Sequence, residues 1–575
     1  MAKILVLGNE QTKKWSESIS NSHFIQMPVF SLGEDGERKL CEFVIKNVDS
    51  DSMAIVVDVD EISKPELCLA FAMAIRLSIL DIKSAALSPI LFVSRMTQDN
   101  LTGYKYSPIM LTGSIAFDLP ENASGALEVM EPLSPSEYKA KFLDVIKILP
   151  NASEGRHSLA NQWGADVLSR LVVGNETNNE LIKKARLSLY FRYVRVLSLS
   201  AIDIENIIHN NEPVSAPASL KKIDATGKRI LLIDDEADKG WDDVMCKMLP
   251  NSEFKTIQEQ VPDYESLSDG AKRQIESGKY DLIFLDLRMN GVTEEDTIGP
   301  NEFSGMKILK AIKNQNKGNQ VIMFTASNKA WNMKALLDEG ADGYYIKESP
   351  EYAFPQSYSL NNAKTLCDNI EYCFSVSLAQ RNIWQSIKEV KQVMESNNLA
   401  NKYFSGMEVM DGLKYQTLIS TELDVVWGLL RSNQAKKEQL SMLSLFKILE
   451  FMNEFFYTTN NKGQLCLIDS NYKELLFWDN GTWLKKGDKS SLYKTRKIGD
   501  CILKSDIEST TSKVHNIMRY VGFDDNDKAY SHIRSLGNDR NGYIHAKNSA
   551  AKSKKISLHN IEVWINAIKS LCLKL

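Results

Sequence analysis

RILLIDDEADKGW, residues 229–241, is the stretch on which the fold turns. An apolar run, Ile230 to Ile233, stops abruptly in Asp234, Asp235 and Glu236. A short aliphatic run between polar flanks is the pattern of a buried strand. Neighbouring carboxylates at its end repel one another, so something positive belongs among them.

Outward from that stretch, residues 227–350 alternate strand and helix patterns. The strand candidates are RILLID, EFKTIQ, DLIFLD, QVIMFTA and GYYIK, with helical patterns at DYESLSDGAKRQIESG, GMKILKAIKNQ and KAWNMKALLDEG. Strict alternation predicts a doubly wound parallel sheet. Chemistry in such a sheet sits at the carboxyl ends of the strands. Those ends carry Asp234 and Asp235, then Asp286, then Thr325, then Lys347. Three carboxylates suit a hard dication such as Mg²⁺, and a hydroxyl beside an ammonium suits a phosphoryl group.

The five positions in this strand order resemble the receiver domain of two-component response regulators. The resemblance implies that Asp286 accepts a phosphoryl group as an acyl phosphate. It implies that Asp234, Asp235, Asp286 and the backbone carbonyl of Arg288 hold Mg²⁺. Thr325 and Lys347 would bind the phosphoryl oxygens, and Tyr344 stands at the aromatic switch position. Two departures are visible. The loop NGVTEEDTIGPNEFSG after Asp286 is longer than the family norm, and Glu348 replaces the usual proline after the lysine. The resemblance also implies a sensor histidine kinase as partner.

Residues 1–150 carry a second alternating pattern: AKILVLG, MAIVVDVD, PILFVSR and SIAFDL read as strands, and ELCLAFAMAIRLSIL as a helix. The segment resembles a degraded receiver. Asn9 and Glu10 replace the acid pair, Asp58 and Asp60 fall near the acceptor position, and Ser94 stands for the hydroxyl. The fifth strand offers no lysine, so a pseudo-receiver without phosphoryl chemistry is expected, used for docking or dimerisation.

Residues 151–210 have helical periodicity with a turn at GNETNN, which predicts a helical hairpin. His157 and Asn161 share a helix face one turn apart. They resemble the histidine and the Asn or Thr four positions on in the dimerising hairpin of histidine kinases. Ser158 replaces the usual acid there. Phosphotransfer through His157 and a plain amphipathic dimerisation helix both remain open. Leu159 and Trp163 lie on the apolar face expected to pair two chains. A Pro/Ser/Ala-rich linker, 211–226, follows. The receiver is placed at 227–365. Gln356 to Ser405 contains no Gly or Pro, which predicts a rod of about 50 Å at ~1.5 Å per residue.

The remainder, 366–575, is mostly helical, with a small hairpin insertion expected at LCLIDSNYKELLFWDNGTWLKKG. RNGYIH places Arg540, Asn541 and His545 in an arrangement that resembles the R-N-x-x-x-H signature of HEPN domains. That family is all-helical and often consists of metal-independent ribonucleases. The resemblance implies charge stabilisation by Arg540 and proton transfer by His545, in a cleft shared by two protomers. Lys547, Lys552, Lys554 and Lys555 would grip an RNA backbone. A non-catalytic domain stays open, with Arg540 paired to an acid and His545 capping a helix.

The bulk composition fits this division. A chain of 575 residues exceeds one core. Its net charge of -5 excludes a global drive toward nucleic acid. No apolar run reaches membrane-spanning length. The eight cysteines form no C-x-x-C pair, and a reducing cytoplasm is expected. The expected whole is a homodimeric response regulator controlling a HEPN-like ribonuclease, in growth arrest or antiphage defence. The alternative is a phosphotransfer or phosphate-buffering adaptor without enzyme output. With no strong helix-turn-helix candidate after the receiver, a transcription factor ranks third.

Overall fold

A computed structural model describes residues 3–29, 31–60, 62, 64–150, 156–172, 179–209, 220, 223–257, 264–277, 279–289, 302–326, 330–352, 354–395, 409–432, 434–468, 473–479, 482–486, 491–494, 509–524, 526–544 and 555–575. Contacts divide the chain into two units: Met1–Ala311 with Gln320–Cys373, and Ile312–Asn319 with Phe374–Leu575.

The first unit holds two parallel five-stranded sheets of identical topology. The N-terminal sheet runs β1 (Lys3–Gly8), β2 (Ser22–Gln26), β3 (Ser52–Asp58), β4 (Ile90–Val93) and β5 (Ile115–Asp118), in spatial order β2-β1-β3-β4-β5. Its helices are α1 (Glu10–Ser16), α2 (Glu34–Asn47), α3 (Pro65–Leu77), α4 (Ile79–Ile82), α5 (Ala123–Glu128) and α6 (Pro135–Tyr138). Pro65 starts α3 where its missing N–H costs nothing. Leu67 to Leu77 are all buried, so α3 is the central helix of this core. The buried Arg76 donates to the carbonyls of Ala86 at 2.7 Å and Ser88 at 2.8 Å, which ties α3 to the loop entering β4.

Residues 151–210 differ from the two-helix hairpin expected. Their described residues form four helices: α7 (Arg156–Val172), α8 (Glu180–Arg186), α9 (Leu189–Leu197) and α10 (Ala201–His209). Asn179 caps α8 by accepting from Leu181 N–H and Ile182 N–H, and Ser188 precedes α9. The Asn179 cap falls in the expected GNETNN turn, and the extended backbone at Ser188, without a side-chain cap bond, adds a further break. Leu159 and Trp163 are buried in the core of this same unit, Trp163 edge-on to Phe191 with ring centroids 5.3 Å apart. The apolar face that was expected to pair two chains is therefore covered within one chain. Inside the segment, Asp166 gathers Arg170 (2.6 Å), Arg186 (2.6 Å) and Arg195 (3.2 Å).

The second sheet comprises β6 (Arg229–Ile233), β7 (Glu253–Ile257), β8 (Leu282–Asp286), β9 (Val321–Thr325) and β10 (Gly343–Ile346), in order β10-β9-β8-β6-β7. Strands β8 and β9 are buried at every position, as central strands covered on both faces must be. The edge strand β7 alternates exposed and half-buried positions instead. The helices are α11 (Trp241–Met248), α12 (Tyr264–Ser277), α13 (Ser304–Gln315), α14 (Ala330–Asp338) and α15 (Gln356–Glu395). Helix α15 has 40 residues, about 60 Å at ~1.5 Å per residue. The 396–405 part of the expected rod lies outside the described residues, as does most of the expected linker.

The second unit contains the C-terminal half of α15 with α16 (Val409–Arg431), α17 (Lys437–Phe456), α18 (Thr510–Tyr520), α19 (Lys528–Ile544) and α20 (Leu558–Lys574). Asn382 bonds Glu562 at 3.1 Å, Ser386 bonds Asn566 at 2.9 Å and Lys569 bonds Glu389 at 2.6 Å, so α15 and α20 lie side by side. The expected small hairpin is a five-stranded antiparallel meander: β11 (Tyr457–Thr459), β12 (Leu465–Ile468), β13 (Glu474–Asp479), β14 (Thr482–Lys485) and β15 (Ser491–Lys494). Among the described residues, no helix is long and apolar enough to cross a membrane.

Candidate phosphoryl site

Strand register brings the polar strand ends of the second sheet level. Ile233 pairs with Leu285, Asp286 with Phe324, and Thr325 with Ile346. Asp234, Asp286, Thr325 and Lys347 therefore emerge at one edge, each following a buried apolar run. All four are at most 4% exposed. Carboxylate oxygens of Asp234, Asp235 and Asp286 lie within 4.8 Å of one another.

The positive charge anticipated at this edge is Lys347. Its ammonium lies 2.8 Å from Asp234 Oδ2 and 2.7 Å from Asp286 Oδ1. Burial opposes that charge, but Asp234 and Asp286 outweigh it and hold the lysine protonated, above its ordinary pKa. Backbone N–H groups complete the shell: Glu236 donates to Asp234 Oδ1 at 2.9 Å, and Arg288 to Asp286 Oδ2 at 3.1 Å. One ammonium cannot serve three acids. Burial, then the charges of Asp286 and Asp234, push the Asp235 carboxyl up to about 8. Its buried Oδ1 has no hydrogen-bond partner among the described residues. An orphaned carboxylate oxygen facing two other carboxylates is a donor set that fits a hard dication.

Tyr344 is half-buried on β10, whereas Tyr345 is buried against Phe324, with centroids 5.3 Å apart. Glu348 is buried and accepts from Ser359 Oγ at 2.8 Å, near the start of α15. The long loop expected after Asp286 falls largely outside the described residues.

Sequence reasoning passed over Trp241. It is fully buried, packs on Phe324 and Tyr345 with centroids 5.6 and 6.1 Å away, and has the Lys347 ammonium 5.5 Å from its ring. An aromatic residue just after a run of acids and a glycine was the available signal. Asn161 accepts the Trp241 indole N–H at 2.9 Å. The backbone of His157 lies in the first turn of α7, and its side chain is outside the described ones.

The N-terminal sheet has the same edge with its pocket filled. Asn9 caps α1 by accepting from Gln11 N–H at 2.7 Å. Buried Asp58 accepts from Thr12 Oγ1 at 2.8 Å and Trp15 Nε1 at 3.1 Å. Asp60 accepts from Ser94 Oγ and from Arg95 N–H. The fifth strand ends in Asp118. Neutral donors from α1 thus occupy the position that a lysine and a cation would otherwise serve.

In the second unit, Arg540 lies on α19 with its guanidinium 4.7 Å from the Phe446 ring and 3.7 Å from Glu450. Asn541 Oδ1 accepts from Arg540 at 3.1 Å. His545, Lys547, Lys552 and Lys554 lie outside the described residues.

Comparison with known proteins follows this geometry. Residues 230–356 match the response regulator receiver domain, and residues 4–117 match the inactive receiver domain. A 69-residue stretch is 36% identical to the nitrate/nitrite response regulator protein NarP of Escherichia coli (strain K12), over 12% of this chain and 27% of NarP. The crystal structure of NtrX from Brucella abortus aligns at 15% identity over 43% of this chain and 50% of that one, with a TM-score of 0.19. The chain thus spans about a quarter of NarP and half of NtrX. With the acid cluster and its lysine in one sheet and a filled pocket in the other, the chain carries a response regulator receiver domain preceded by an inactive receiver domain.

Proposed function

We propose that the protein is a two-component response regulator that takes a phosphoryl group on Asp286 from a sensor histidine kinase. The observation that carries this reading is the buried Asp234–Asp235–Asp286 cluster clamped by Lys347 at the strand ends. A carboxylate oxygen of Asp286 attacks phosphorus and forms an acyl phosphate. Lys347 and Thr325 bind the phosphoryl oxygens. Asp234, Asp235, Asp286 and the Arg288 carbonyl would hold Mg²⁺, which when bound neutralises phosphoryl charge. Tyr344 responds to the movement of Thr325. Glu348 and α15 form the covalent path along which the change leaves the site.

The effector reading is narrower than the motif suggested. A ribonuclease built on Arg540, Asn541 and His545 rests on the R-N-x-x-x-H spacing alone. The contacts of Arg540 with Glu450 and Phe446 favour the alternative, in which the arginine is structural and the unit relays the signal without cleaving RNA. Incubation of phosphorylated wild type and His545→Ala with total RNA separates the two. Equal RNA profiles support the relay, and cleavage lost in His545→Ala overturns it. A phosphotransfer role for His157 requires an acid-labile adduct that disappears in His157→Ala.

The regulator reading is tested with a small phosphodonor such as acetyl phosphate. Incorporation that depends on Mg²⁺ and stops under chelation is expected. No incorporation under any condition would overturn it.

Glu348 gives a pH prediction. Burial pushes its carboxyl up to about 7 from 4.5, against the pull of Ser359 and Asn362. A raised folded-state value means that the protonated form stabilises the fold. That contribution is complete below about 4.5 and is lost as pH rises through about 7. Between about pH 5.5 and about pH 8, the wild type should lose on the order of 2 kcal/mol that Glu348→Gln keeps. Denaturant unfolding of both proteins at the two pH values measures the difference. Parallel losses would contradict this role of Glu348.

A further inference from the structure

Helix α7 lies outside the receiver sheet, yet it meets the receiver beside the acid cluster. The Trp241 indole N–H donates to Asn161 Oδ1 at 2.9 Å, and Asn161 Nδ2 donates to Glu236 Oε2 at 3.4 Å. Gly164, one turn further along, lets the two backbones approach. A Cβ there would stand 2.9 Å from Cζ2 of Trp241 and 3.0 Å from the carbonyl oxygen of Glu348. From the receiver side, Gly240 turns the chain at φ +117°, a conformation that L side chains rarely adopt. A Cβ on it would meet Ile182 of α8 at 3.0 Å. The α7–α8 pair is thus fitted closely to the loops that follow β6 and β10, which carry the acids and the lysine.

Trp241 joins these contacts to the chemistry. Its ring packs edge-on against Phe324 and Tyr345, and its N–H is held by Asn161. The Lys347 ammonium stands 5.5 Å from the ring centroid, within the range of cation–π attraction. The indole therefore stands beside the lysine, and its N–H is held from outside the receiver.

We propose that Asn161 is a positioning residue for phosphoryl transfer to Asp286: it holds Trp241, and Trp241 holds Lys347. The inference rests on the reading of Asp286 as acceptor. In the step concerned, a P–O bond forms between Asp286 and phosphorus, the P–O bond to the donor's acetyl oxygen breaks, and acetate leaves. Lys347 must shift from the unphosphorylated Asp286 carboxylate to the phosphoryl oxygens during that exchange. A displaced indole lets the ammonium wander and slows transfer without changing how the donor is bound.

The test uses the full chain, Mg²⁺ and acetyl phosphate over a range of concentrations. Asn161→Ala and Trp241→Phe should each slow maximal labelling by roughly fivefold, the worth of one hydrogen bond, with half-saturation unchanged. The double variant should be no slower than Trp241→Phe alone, since Asn161 acts through that residue. Gly164→Ala keeps every hydrogen-bonding group, gains helix propensity and pushes α7 off Trp241. It should reproduce the slowing in a protein that unfolds normally. Wild-type rates in Asn161→Ala or Gly164→Ala would overturn the proposal, as would slowing that multiplies in the double variant. A wild type that takes up no phosphoryl group would strike the acceptor reading itself, a separate result.

Discussion

Asp286→Asn should lower phosphoryl incorporation by at least about a hundredfold, since the variant removes the attacking group itself. The amide has nearly the same shape but no anionic oxygen with which to form an acyl phosphate. The fold should survive, because Lys347 keeps Asp234 as a partner at 2.8 Å and the crowding of Asp235 by a neighbouring charge is relieved. Retention of helical circular dichroism together with loss of label from acetyl phosphate is the expected pair of observations. A variant that labels at the wild-type rate would place the chemistry elsewhere.

Lys347→Met should have the largest effect on stability. The ammonium is the positive group bound directly to two buried carboxylates, at 2.8 and 2.7 Å. Breaking a buried pair by removing one partner costs about 3–5 kcal/mol, because the remaining charges stay desolvated. Here three carboxylates would face one another across less than 4.8 Å. Unfolding by urea under chelation should show that loss. Millimolar Mg²⁺ should recover much of it, since a cation that binds the folded state stabilises it by mass action. A loss of the same size with and without Mg²⁺ would show that the cluster does not bind the cation.

The parts of the fold that were legible in the sequence are those where one physical requirement dominates. Strands β6, β8 and β9 are covered on both faces, so they are written as unbroken apolar runs ending in acid or hydroxyl. Alternation with helices then dictates which ends meet. Strand β2 escaped because it is an edge strand, SHFIQ, with half-exposed positions and two adjacent large apolar residues. The segment 151–210 shows its helical period and the turn at GNETNN, which precedes α8, but not its later breaks, because Ser188 and Ser200 interrupt it by local hydrogen bonding and turn geometry rather than by Gly or Pro. Its apolar face was visible, but amphipathicity says only that a face is covered, not by what. Leu159 and Trp163 turned inward to the chain's own core.

The candidate site divides the same way. Asp234, Asp235, Asp286, Thr325 and Lys347 sit at strand ends, where position along the sequence fixes position in space. The bond between Trp241 and Asn161 joins residues 80 positions apart, across two modules, and no spacing rule connects them. Arg540 shows the opposite hazard. A short motif on a helix surface is compatible with catalysis and with a structural pairing such as that of Arg540 with Glu450 and Phe446, and spacing alone does not distinguish them.

The most direct measurement is covalent trapping of the acyl phosphate. The full chain is incubated with acetyl phosphate and Mg²⁺, reduced with borohydride, digested and sequenced by mass spectrometry. Reduction converts an aspartyl phosphate to homoserine at the modified position. The account predicts homoserine at position 286 and unmodified aspartate at 58, 60, 234 and 235. Homoserine at any of those four positions, with Asp286 intact, would contradict it.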